Sequence, residues 1–162
     1  MTARRLLVPA SLTSFLVLLP ATALRAQEEA AAEMAMAEET IIVSNADVAY
    51  EPIEVPGFDS GMEIAILSGD PNSEGGIYTL RLAFPDGYQF PPHWHPKAEN
   101  VTVVEGTFLL GMGESVDESA IEEYVPGDYL YIPPEHPHFG GAKGRTVVQL
   151  HGPGPFAINL VE

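Results

Sequence analysis

Period-two alternation is clearest over residues 77–84. There Tyr78, Leu80, Leu82 and Phe84 fall on one side of an extended chain, with Thr79, Arg81 and Ala83 on the other. That is the pattern of a strand with one buried face. Residues 62–67, 100–104, 107–112, 129–132, 146–151 and 156–161 read as further strands. Turn-forming clusters separate them: Gly69-Asp70-Pro71-Asn72, Pro85-Asp86-Gly87, Glu105-Gly106, Pro126-Gly127-Asp128 and Gly152-Pro153-Gly154-Pro155. Short strands so closely spaced predict an all-β sandwich or barrel. Only residues 115–124 suggest a helical turn, and their charge makes it a surface excursion. No internal repeat and no second boundary follows residue 40, so residues 41–162 are expected to form one domain.

The first 40 residues read differently. Arg4 and Arg5 precede an interrupted apolar stretch over 6–19, and Ala21, Ala23 and Ala26 offer small residues for processing. This is the layout of a secretory signal peptide spanning residues 1–26, with cleavage after Ala23 or Ala26. The stretch falls short of the ~20 apolar residues that a bilayer-spanning helix needs. Residues 27–40, rich in Ala, Glu and Met, read as an acidic linker. A periplasmic or secreted location is therefore expected, with no membrane association after cleavage.

Charge and composition narrow the chemistry. Seven Lys+Arg against 23 Asp+Glu give a formal charge of -16, which opposes binding to nucleic acid or to an anionic membrane face. The absence of cysteine excludes disulfides, thiolate nucleophiles and iron-sulfur clusters, so any metal must be held by nitrogen and oxygen ligands. No Gly-rich phosphate loop followed by Lys and no nucleophile-elbow serine is present, which argues against phosphoryl transfer and serine hydrolysis.

All five histidines lie within residues 93–151. His93 and His95, two apart in an extended segment, project to the same side. Glu99 shares their parity, and His138 follows a second turn-strand-turn unit that can bring it across the barrel. Three imidazoles and one carboxylate then surround one ion. His136 is a candidate catalytic acid or base, two residues from His138. His151, sharing a strand face with Gln149, is a candidate to line the pocket or orient a ligand by hydrogen bonding. Tyr78, Phe84, Tyr88, Phe90, Tyr129, Tyr131 and Phe139 are candidate cavity walls or core. Trp94 points away from its two His neighbours, and Arg81 reads as a solvated charge.

The run Gly87-x5-His93-x-His95-x3-Glu99-x6-Gly106 resembles the first motif of the cupin superfamily at every fixed position. The second motif, G-x5-P-x-G-x2-H-x3-N, is matched by Gly127, Pro133 and His138. It departs at Glu135, where Gly is expected, and at Ala142, where Asn is expected. The resemblance covers residues of about 60–160. It implies a jelly-roll barrel (double-stranded β-helix) with one divalent metal on His93, His95, Glu99 and His138. Iron or manganese suits this set, while zinc, nickel and copper also accept it. By the same resemblance, the expected activity is that of a dioxygenase-like oxidoreductase acting on a small organic molecule, and a homodimer is implied. The alternatives are a non-catalytic metal- or ligand-sensing barrel, or a metal-dependent isomerase or lyase.

Overall fold

A computed structural model describes residues 40–161 together with Arg25. The expected signal peptide and nearly all of the acidic linker lie outside these residues. Among the described residues no helix is long and apolar enough to cross a membrane. Among the described residues nine strands follow one another: β1 (Glu51–Pro52), β2 (Glu63–Ser68), β3 (Ile77–Phe84), β4 (Gln89–Trp94), β5 (Glu99–Met112), β6 (Glu122–Tyr124), β7 (Tyr129–Ile132), β8 (His138–Pro153) and β9 (Asn159–Leu160). Single 3₁₀ turns occupy Asn45–Asp47 and Glu118–Ala120.

Every pairing is antiparallel. The sheet is organised by its two longest strands, β5 and β8, which pair with each other along most of their length. The C-terminal half of β8 carries β3, then β2 and β1. Its N-terminal half carries β4 and then β9. On the far edge of β5, residues 99–102 pair with β7 and residues 108–110 with β6. The long strands thus serve both sides of a curled antiparallel half-barrel, and the core fills its concave side. That core gathers Leu80, Leu82, Phe84, Phe90, Val101, Val103, Phe108, Val148 and Leu150, all buried.

The alternation over β3 is confirmed, since Tyr78, Leu80, Leu82 and Phe84 are all buried. The strand over 129–132 is found with the same bounds. Three expectations need correction. Glu105-Gly106 does not end a strand: β5 runs through it, and register shifts on both sides of Glu105 mark a bulge. Gly106 takes φ +76°, a conformation open to glycine, so one extra residue is absorbed while pairing continues. The strand expected at 146–151 begins at His138 instead. Gly140 and Gly141, inside β8, allow close backbone approach. A β-carbon on Gly140 would run into the Leu109 carbonyl, and one on Gly141 into the Tyr88 carbonyl. The final strand is also shorter than the expected 156–161, leaving residues 155–158 unpaired as strand. The region 115–124 holds the 3₁₀ turn, capped by Asp117, and then β6.

Candidate metal centre

Local backbone geometry supplies each polar side chain of the centre. His93 lies on β4 directly opposite His138, the first residue of β8. β4 ends at Trp94, and His95 follows at the turn, where its carbonyl accepts the Glu135 N–H at 2.8 Å. Glu99 opens β5 opposite Ile132 of β7. These four residues, with Thr146, are the buried polar side chains among the described residues, each 5% exposed or less.

The three imidazoles are oriented by main-chain carbonyls. Nδ1–H of His93 donates to Pro91 O at 2.8 Å, that of His95 to Ala157 O at 2.8 Å, and that of His138 to His136 O at 3.0 Å. Fixing the proton on Nδ1 leaves each Nε2 as a bare lone pair, the form that ligates a metal. The three rings converge, with centroids 4.3–5.4 Å apart, and one ligand atom from each lies within 4.8 Å of the others. Glu99 Oε2 sits 3.3 Å from His95 Nε2 and 3.5 Å from His138 Nε2. Three converging neutral nitrogens, each with its other nitrogen tied down, are what a cation site requires, so the residues fit a metal ion.

Burial sets the charge state of the group. It holds His93 and His95 down at about 3, with the neighbouring His138 adding to the effect and the carbonyl bonds opposing it. His138 is lowered for the same first reason. Burial pushes Glu99 up to about 8. Near neutral pH the metal-free contacts therefore join neutral imidazoles to a protonated carboxyl, and they are not ion pairs.

Around these groups lies a cavity of ≈ 50 Å³ with apolar walls. Phe84 and Phe90, expected as wall candidates, do line it, along with Phe58, Phe108 and Phe156. Phe58 meets His93 edge-on at 4.9 Å, and Phe156 stacks on His95 at 5.0 Å. Tyr78, Tyr88 and Phe139 are buried but are not among the lining residues. Tyr129 and Tyr131 are exposed. Arg81 is held by hydrogen bonds to Gln149 and Asn45, and the half-buried Trp94 lines a separate surface depression with Leu160.

The two remaining candidate histidines are not brought to the centre. His136 is exposed and reaches the centre only through its carbonyl, bonded to His138. His151 is exposed too, because it stands opposite Thr79 and Asn100 on the convex face of β8. Neither imidazole lines the cavity. The departures from the second motif also resolve. Glu135 takes φ +57°, so it holds a conformation suited to glycine. Ala142 is buried opposite Phe108, where an amide side chain would lack water. The orienting carbonyls of Pro91, Ala157 and His136 were not legible, because any residue type supplies a carbonyl.

Comparison with known proteins agrees with this geometry. The Cupin domain family model matches residues 80–151. A germin-like protein (subfamily 1 member 7) of Arabidopsis thaliana is 41% identical over 75 residues, 44% of this chain. The match spans only 33% of that relative's length. Among solved structures, a polyketide cyclase from Streptomyces resistomycificus superposes with TM-score 0.63 at 23% identity, covering 76% of this chain and 87% of the other. A cupin 2 conserved barrel domain protein from Rhodopseudomonas palustris gives 0.58 at 17% identity, covering 75% and 86%. An acetylacetone dioxygenase from Acinetobacter johnsonii gives 0.58 at 16% identity, covering 78% and 79%. At such identities these structures show the fold. The histidine and glutamate motif, the curled antiparallel sheet and the Cupin domain match over residues 80–151 agree in supporting the cupin superfamily for this chain.

Proposed function

We propose that this chain is an exported metalloprotein of the dioxygenase type, an oxidoreductase acting on a small organic molecule. Its metal would be iron or manganese, held by His93, His95, His138 and Glu99. The observation that carries the reading is the convergence of three unprotonated Nε2 atoms and one carboxyl inside an apolar cavity. Three nitrogens and one carboxylate leave positions open on an octahedral ion. When bound, such a metal supplies Lewis-acid polarisation and electron exchange with dioxygen. The chain itself orients the imidazoles through the Pro91, Ala157 and His136 carbonyls. Glu99 would ligate such a metal as the carboxylate, and the phenylalanine walls keep bulk water away. The likeness to an acetylacetone dioxygenase supports the oxygen-dependent assignment. The pattern over residues 1–26 and the acidic balance support a soluble periplasmic or secreted protein.

The test is oxygen uptake by protein loaded with iron(II) or manganese(II), offered phenols and β-diketones, alongside elemental analysis of protein from its native compartment. Uptake should be abolished by His95→Ala. Failure with every metal and substrate class would favour a second reading, a non-catalytic metal-binding barrel. One observation speaks for that alternative: a cavity of ≈ 50 Å³ has room for only a few water-sized molecules.

A further inference from the structure

Phe156 borders two spaces. On one side lies the ≈ 50 Å³ cavity at the imidazoles. On the other is a cleft of ≈ 350 Å³, walled by Ile53, Val55, Ile64 and Ile66 among others. Met62, Leu82, Phe156 and Ile158 line both. Met62 and Leu82 are fixed in the core, 2% and 8% exposed. Phe156 and Ile158 instead belong to the unpaired segment between β8 and β9. The Phe156 N–H donates to Pro71 O at 2.7 Å, which pins the main chain and leaves the ring as the part that can turn. That ring lies nearly parallel to the His95 imidazole, at 15°, and also packs against Tyr78 at 5.7 Å. With the ring swung aside, the joined volume falls in the ~300–1,000 Å³ range of small-molecule pockets.

The lining also selects by charge. Glu54 and Asn72 are the polar side chains of the cleft, both exposed at its rim, and Glu99 stands at the inner end. Among the described residues no Lys or Arg lines either space. An anion would meet the Glu54 carboxylate at the rim and find no Lys or Arg to pair with further in, and a cation would be stripped of water by the aliphatic walls. The cleft also accounts for Ile66, which is 54% exposed on the concave side of β2.

On the reading of the metal centre proposed above, we infer that cleft and cavity are one binding site for an uncharged, largely apolar molecule. Phe156 is its gate and sets how closely the molecule approaches the imidazoles. The experiment uses 2-naphthol, neutral at pH 7, and 2-naphthoate as probes. Fluorescence titration of the metal-free full chain should give at least tenfold tighter binding of naphthol than of naphthoate. Ile66→Glu, a change at an exposed position, should weaken naphthol at least tenfold while manganese(II) affinity stays within twofold. In manganese-loaded protein, relaxation of the naphthol protons should be faster in Phe156→Ala than in the unaltered chain, with Phe156→Leu carrying the comparison if the alanine variant does not fold. Equal binding of both probes, or an unchanged Ile66→Glu, overturns the cleft. Equal relaxation overturns the gate. Naphthol bound as expected without any oxygen uptake would keep the site and remove only the oxidoreductase reading.

Discussion

One residue of displacement along the sheet separates two unlike surfaces. On the concave side, Leu80, Leu150, Val101 and Leu130 stand in register across β3, β8, β5 and β7, all buried. On the convex side the neighbouring row is Thr79, His151, Asn100 and Tyr131. There the polar groups bond to one another in the open: Tyr129 Oη donates to Asn100 Oδ1 at 2.7 Å, and Asn100 Nδ2 to the His151 carbonyl at 3.0 Å. Histidine occurs on both sides with opposite consequences. His93, His95 and His138 lose water, are held neutral and aim Nε2 at one point, whereas His151 keeps its hydration. Face, more than residue type, decides which imidazole can do chemistry.

The sharpest way to break this contrast is to exchange histidines on the two sides. His95→Ala should weaken metal binding by more than the ~10–100-fold that loss of a ligand's hydrogen-bonding partner costs. His151→Ala and His136→Ala should stay within twofold, as read by titration against a chromophoric chelator. Comparable losses at His95 and His151 would mean that both faces take part.

Core packing gives the next largest difference. Leu80, fully buried, should cost roughly 2–5 kcal/mol on truncation to alanine. Tyr131, 58% exposed on the convex side, should cost less than about 0.5 kcal/mol. Urea unfolding of the two variants measures both.

A third difference is read by pH. Glu99, raised from 4.5 to about 8, carries a proton below pH 8 that an incoming metal must displace. The two histidines at about 3 are already deprotonated there. Metal affinity should therefore rise with pH, by up to about tenfold per unit between 6 and 8, and level off above. Affinity flat across that interval would show Glu99 ionised before the metal arrives. The smallest effect belongs to Glu135→Gly, which relieves a φ of +57° at an exposed turn and should stabilise the chain by under about 1 kcal/mol.

Much of this was legible in the chain. Alternation at 77–84 identified the buried face of β3, and the spacing of the histidines marked a group, His93, His95 and His138, that the fold does bring together, with Glu99 beside His95 and His138. The same parity puts Gln149 and His151 on one face, as expected, but that face is the convex one. Period two says which residues share a face, and cannot say which of the two faces turns inward when polar and apolar residues are mixed. Gly106 was misread because a glycine that permits a bulge looks, in one dimension, like a glycine that ends a strand.

Residue chemistry and periodicity were enough to specify short strands of a sandwich or barrel and a histidine cluster with metal-directed spacing, since these depend on local alternation and on spacing within short segments; the barrel itself followed from the resemblance to the cupin motif. Tertiary packing alone settled which face of β8 is concave, which carbonyls pin the imidazoles and that Phe156 borders both cavity and cleft. Those features arise from contacts between residues far apart in the chain, such as His95 with Ala157 and Phe156 with Pro71, and no local pattern encodes them.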